Sequence, residues 1–223
     1  MLRVALFFAL LVALSAGAQT NLAPGFSQLP AGARVVVMPA DIELFEISSG
    51  GVTEPRADWT ELAERHVKAG LTARKAKLGA QVTEFSDSGD ETVAAVLRLH
   101  RAVSEAVVVH HFGSLKLPTK EGRLDWSLGP DAAPLRERTG ADYALFTWIR
   151  DAYASDARKA AMLVGALFGV PLLGGRQLAY ASLVDLRSGQ LVWFNRMRRM
   201  SGDLRESEAA QETLDALLAG FPD

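Results

Sequence analysis

Four histidines, His66, His100, His110 and His111, are the side chains in this chain best suited to proton transfer or metal binding near neutral pH. His66 and His100 fall on the apolar faces of two helical repeats, where a hydrogen-bonded core or boundary histidine is the ordinary outcome. His110 and His111 are adjacent. On a strand their rings point to opposite faces, and on a helix they diverge by about 100°. Neither arrangement chelates one metal, and no H-E-x-x-H spacing occurs, so neither a metal nor a cofactor is expected. A hydrolase that pairs His110 or His111 with an acid remains one reading of these residues.

Asp41, Glu43 and Glu46 follow an early apolar run, a place where α/β sheets often carry their sites, and a pair of them has the chemistry for acid–base work. A solvated strand edge explains them as well. Glu54, Asp58 and Glu61 read as helix-capping groups. There is no G-x-S-x-G and no S-x-x-K, and Gly165-x-x-x-Gly169 lacks the Gly-Lys-Ser/Thr end of a phosphate loop. Arg196, Arg198 and Arg199 form a small basic cluster suited to a solvated strand end, an acidic partner or a lipid headgroup. No catalytic residue is assigned on these grounds.

The absence of cysteine rules out disulfides, thiolate metal sites, a cysteine nucleophile and lipid attachment at an N-terminal cysteine. Hydrophobic residues make up 49% of the 223, enough for a sizeable core in one domain. The net charge of −2 leaves no electrostatic footprint for nucleic acid, which is not expected as a partner. Arg3, the unbroken apolar run from Val4 to Leu14 and the small residues Ala16-Gly17-Ala18 have the pattern of a cleaved signal peptide, residues 1–18. A periplasmic or secreted, non-lipidated protein follows. Residues 19–33, rich in proline, glycine and small side chains, read as a flexible lead-in, and residues 34–223 as a single α/β domain with an apolar insert at 158–175.

The elements are read as follows. Arg34 to Met38 is a strand covered on both faces, which Pro39 ends or bulges. Asp41 to Ile47 is extended, and Thr53 to Ala57 is a loop. A helix begins at Asp58, with Glu61 at the capping-box spacing, and runs to about Lys77. Gln81 to Phe85 is a short strand. A second helix starts near Asp90 and carries Val93, Val96, His100 and Val107 on one face; residues 106–111 are open between helix and strand. A long loop, 113–130, precedes a short helix over 131–138. Residues 141–150 form an interior strand, and Gln177 to Leu186 and Gln190 to Met197 a hairpin that turns at Arg187-Ser188-Gly189. A final helix follows the capping spacing of Asp203 and Glu206. This order gives an α/β fold: a mixed sheet of about five strands with helices packed on it, strand–helix alternation first, then a C-terminal β-hairpin followed by a helix.

The phrase Thr139-Gly140-Ala141-Asp142-Tyr143-Ala144-Leu145, with the hairpin Leu183-Val184-Asp185-Leu186-Arg187-Ser188-Gly189-Gln190-Leu191-Val192-Trp193, resembles a group of bacterial envelope proteins. They include the curli-secretion lipoproteins and the amino-terminal domain of the Tol-system β-propeller protein. The chain also resembles secreted bacterial proteins with no assigned role. The resemblance implies a fold and an envelope setting. It does not imply lipidation, for want of a cysteine, nor a secretion pore, because the amphipathic strands of a membrane barrel are missing. It supplies no site residues.

The feature that none of this absorbs is the run over residues 160–173, fourteen positions without a charged or strongly polar side chain, flanked by Arg158, Lys159 and Arg176. As a helix it is about 21 Å long, too short for a bilayer core of roughly 30 Å. Gly165 and Gly169 share a face and permit close helix approach. The run is expected to form a contact surface through Met162, Leu163, Leu167, Phe168 and Leu172. Its partners would be an envelope protein, a second copy or a membrane surface. The functional expectation is a non-enzymatic envelope protein acting in assembly or trafficking. The alternative is a module binding a small apolar ligand or lipid in a pocket between the insert and the sheet, near Trp148, Phe168 and Trp193.

Overall fold

A computed structural model describes residues 21–75, 81–86 and 89–223. The signal-peptide reading and the last two residues expected of the first helix, 76 and 77, lie outside these residues. The strands are β1 (Arg34–Val37), β2 (Asp41–Ile47), β3 (Thr53–Pro55), β4 (Gln81–Glu84), β5 (Tyr143–Ala154), β6 (Gly175–Asp185) and β7 (Leu191–Arg199). The helices are α1 (Ala57–Arg74), α2 (Glu91–Val107), α3 (Ala133–Thr139), α4 (Asp156–Leu167) and α5 (Ser207–Leu217). This is the expected mixed α/β fold, with helices on the sheet and a closing hairpin β6–β7 followed by α5.

Among the described residues the sheet has seven strands but only five positions across. Both β1 and β2 run parallel to β5, one after the other: Val35 pairs with Tyr143 and Val37 with Leu145, then Asp41 with Trp148 and Ile47 with Ala154. Four residue steps separate Val37 from Asp41, and three separate their partners on β5. The extra residue is a bulge around Pro39, which has no N–H to give the ladder. Side-chain parity flips there, as the period of two demands. Val35 and Val37 face the same core as Ile42 and Leu44. β4 lies beside β1, β3 beside β2, and β6 and β7 continue antiparallel from the other edge of β5.

The two faces are covered unequally. On one, Val35, Val37, Ile42, Leu44, Leu145, Ile149, Leu183 and Trp193 pack under α1 (Ala63, Val67, Leu71) and α5 (Ala210, Leu214, Leu217). On the other, Val36, Met38, Ala144, Phe146, Tyr180 and Phe194 pack under α2 (Val93, Val96, Val107), α3 (Leu135) and the buried Leu124 and Leu128. Past Trp148 this second face carries Asp41, Glu43, Arg150, Arg176, Leu178, Arg196 and Arg198, a row in which charged side chains alternate along the strands with buried ones.

Several local expectations are corrected. Residues 53–55 pair with β2 instead of looping. α1 begins at Ala57 and Asp58 does not cap it. Asp58 is held by the Arg56 guanidinium at 2.8 Å, while Thr60 Oγ1 donates to the Arg56 carbonyl and accepts from the Leu44 N–H. Asp203 likewise caps no helix. It accepts from Arg205, through the backbone N–H at 3.0 Å and through the guanidinium. Residues 106–111 are helical, α2 passing into a π-turn at Val108–Phe112. The long loop lies on the hairpin: Leu128 N–H donates to the Gly189 carbonyl and Leu191 N–H to the Trp126 carbonyl. Gly189 sits at φ +73°, and a Cβ there would fall 2.1 Å from the Gly129 oxygen, so only glycine fits that turn. In the segment read as a lead-in, Ala23 N–H donates to the Val192 carbonyl, Leu29 N–H to the Pro222 carbonyl, and both side chains are buried.

Candidate contact surface

β5 outruns its expected end by four residues and delivers the chain at Ser155 to the rim of the sheet. Ser155 accepts from the Arg158 N–H and starts α4. The helix stops at Leu167 by a Schellman arrangement: Gly169 takes φ +71°, Gly169 N–H donates to the Ala166 carbonyl, and Val170 N–H reaches back to Gly165. The chain then returns over residues 170–174, without regular structure, and folds against the helix. A Cβ on Gly165 would lie 2.7 Å from the Val170 oxygen, and one on Gly174 would lie 2.6 Å from the Met162 methyl. Of the two glycines expected to seat a neighbouring helix, Gly165 thus takes the segment's own return backbone and Gly169 the turn that ends the helix.

No residue of α4 is buried. Leu163 is 73% exposed, Leu167 84% and Phe168 79%, with Val164, Val170 and Leu173 also exposed, while Met162, beside Gly174, and Leu172, beside Gly165, are half-buried. Met200 and Val52 add to the same end of the molecule. Met200 lies beside the start of β6, and the turn before Val52 touches α4 through Arg158, whose guanidinium donates to the Ser49 carbonyl at 3.2 Å and to the Leu173 carbonyl at 3.3 Å. The excursion crosses back where Ala154 N–H meets the Gly174 carbonyl. Replacing residues 155–174 by an Asn-Gly turn should therefore leave a β5–β6 hairpin and shift the unfolding free energy by less than about 1 kcal/mol. A urea titration showing a larger loss would assign the segment to the core.

The proposed ligand pocket is not assembled. Trp193 is fully buried on the α1–α5 face, edge-on to Phe221 at 5.4 Å. Trp148 is on the opposite face, stacked on Tyr180 at 4.9 Å, and Phe168 projects from the tip of α4. Successive strand residues point to opposite faces, which separates Trp148 from a Trp193 whose strand neighbour Phe194 stacks on Tyr180. What sequence reading missed is a groove beside Trp148, about 750 Å³, walled by Glu105, Val108, Val109, Tyr180, Arg196 and Arg198.

The histidines divide as their patterns imply. His66 Nδ1 donates to the Leu204 carbonyl at 3.1 Å. His100 is buried, stacked on Phe146 at 3.8 Å, with Ser182 and Ser104 hydroxyls at 2.6 and 3.1 Å from Nε2; burial lowers its pKa to about 3, so the ring is neutral. His110 donates to the Leu115 carbonyl at 2.7 Å, and His111 is buried edge-on to Phe112. Among the described residues no histidine–carboxylate cluster has the make-up of a metal site. Asp41 and Glu43 hold Arg150 at 2.7 and 3.2 Å, and Glu46 holds Arg56, so these acids serve ion pairs.

A buried polar group that sequence reading did not single out is Asp151. Tyr153 Oη and Gln177 Nε2 each donate to its Oδ2 at 2.5 Å, and Leu204 N–H donates to Tyr153 Oη. Burial pushes the carboxyl up to about 7, against the pull of those hydrogen bonds. The network ties β5 and β6 to the segment entering α5.

No protein-family model matches the chain, and no curated protein sequence does. Solved structures do. The PelC dodecamer from Paraburkholderia phytofirmans is 14% identical over 88% of this chain and 94% of that one, with a TM-score of 0.41. Lipoprotein GNA1162 from Neisseria meningitidis is 16% identical over 85% and 94%, with a TM-score of 0.34. The LpoB C-terminal domain from Salmonella enterica is 11% identical over 80% and 88%, with a TM-score of 0.32. One of the three is a lipoprotein by name, and none is one of the curli or Tol-system proteins that the sequence motifs resemble. At such scores the likeness transfers no role to this chain.

Proposed function

We propose that this chain is a non-enzymatic protein of the bacterial envelope that works by contact, through α4 and the irregular return segment 168–174. The observation that carries this reading is the exposure of Leu163, Leu167 and Phe168 on an excursion with no buried residue in its helix. Burying each of those side chains against a partner is worth about 1.5–3 kcal/mol, and soluble monomers seldom leave such a patch bare. The segment adds nothing visible to the core, so its composition is explained by what it meets outside. The leader-like residues 1–18 support an address beyond the cytoplasmic membrane. Thiol labelling of a Leu167→Cys variant tests the reading: the thiol should react fast in the isolated protein and slowly in cells, where the contact shields it.

A further inference from the structure

The contact reading leaves the occupant open, and the charge around α4 supplies it. Arg176, Arg196 and Arg198 share one face of the β6–β7 hairpin: Tyr180 pairs with Arg196 and Leu178 with Arg198, and Arg176 is two residues before Leu178. Among the described residues none of the three has a carboxylate within ion-pair distance, whereas nearby Arg150 has two. Arg196 instead lies over the Phe112 ring at 5.0 Å and donates to the Phe112 carbonyl at 3.4 Å. These cations form a row that runs along the hairpin away from the root of α4: Arg176 is level with Ala152, Arg198 with Arg150, and Arg196 with Trp148 in mid-strand, while Arg158 and Lys159 stand at the root of the helix itself.

We infer that this end of the molecule docks on an anionic lipid bilayer, with Leu163, Leu167 and Phe168 entering the interfacial layer and Arg176, Arg196 and Arg198 meeting lipid phosphates; the inference rests on the contact reading above. The twelve residues of α4 span about 18 Å, and no described helix is long and apolar enough to cross a membrane, so the helix lies in the interface and does not span it. Apolar side chains beside unpaired arginines are the composition that holds an interfacial helix to anionic lipid. Guanidinium matches phosphate in a two-point geometry that ammonium does not. A two-fold contact with a second copy through this face fits less well, because it would set the arginines of one chain against the same arginines of the other.

The test uses the full chain and vesicle sedimentation, with phosphatidylethanolamine–phosphatidylglycerol vesicles beside phosphatidylcholine vesicles. Any contribution of residues 1–20 is common to every variant, so the comparison is between variants. Wild type is expected to favour the anionic vesicles by about tenfold and to lose that preference in high salt. The triple change Arg176→Gln, Arg196→Gln, Arg198→Gln should erase the preference. The triple change Leu163→Ser, Leu167→Ser, Phe168→Ser should lower binding to both vesicle types by about tenfold or more. Unchanged unfolding midpoints keep both results interpretable. Binding by both variants equal to wild type overturns the inference. So does absence of vesicle binding by wild type; if a cysteine at 167 is nonetheless shielded in cells, the contact reading stands with a protein as occupant and only the lipid assignment falls.

Discussion

Replacing Trp193 by alanine should lower the unfolding free energy by about 3–5 kcal/mol, a large part of the total for a domain of this size. Trp193 has no exposed surface, sits mid-strand opposite Leu183 on β7, and meets Phe221 edge-on. It joins three separate parts of the chain: Leu22 bridges to it from the N-terminal segment, β6 pairs with it, and Phe221 follows α5. Its removal leaves a cavity that neighbours on a sheet and two helices cannot close. The matching change Phe168→Ala, at a side chain that touches little, should shift stability by no more than about 0.5 kcal/mol. Denaturant unfolding of the two variants side by side checks both. Equal losses would mean that the core and the contact surface have been confused.

Asp151→Asn should make the protein more stable above pH 7 and flatten its stability profile below that. In the unfolded chain Asp151 has the ordinary value of 3.8, and in the fold burial raises it to about 7. Between those values the folded protein holds a proton that the unfolded chain has released. Stability therefore falls as pH rises through this window, by about 1.4 kcal/mol per unit and up to about 4 kcal/mol in all. Asparagine keeps an acceptor for Tyr153 Oη and Gln177 Nε2 and has no proton to lose. Wild type and variant should match near pH 4 and diverge steadily to pH 7, as read by urea midpoints at each pH. Parallel profiles, or a variant weaker at pH 8, would show that the buried carboxylate is ionised and satisfied in the fold.

The architecture was legible wherever period and burial agree. β1, β2, β5 and the hairpin lie within a few residues of their expected places because the central strands carry apolar residues on both faces, and the edge strand β4 also falls where expected. Pro39 was readable as an end or a bulge. Only the pairing of both β1 and β2 with β5 shows that it is a bulge, since parity is fixed by long-range register. The misread caps have one cause. Asp58 and Asp203 have the right spacing, but each has an arginine two residues away, and a guanidinium competes successfully for the carboxylate. β3 was missed because three exposed residues carry no alternation. On the surface, sequence located the apolar run and its boundaries, whereas exposure is a property of what the rest of the chain leaves uncovered. The Trp148–Phe168–Trp193 pocket failed on facing, and the Asp151 network was invisible because Gln177 and Thr213 are distant in sequence.

A chain without cysteine permits the most direct measurement. With Leu167→Cys as the single thiol, alkylation in the purified protein should proceed at the rate of an unfolded peptide thiol, and in intact envelopes it should slow by about tenfold or more as the contact shields it. A slow rate already in the purified protein would place α4 inside its own fold, and an equally fast rate in envelopes would leave the surface with nothing to touch; either result contradicts a contact role for this helix.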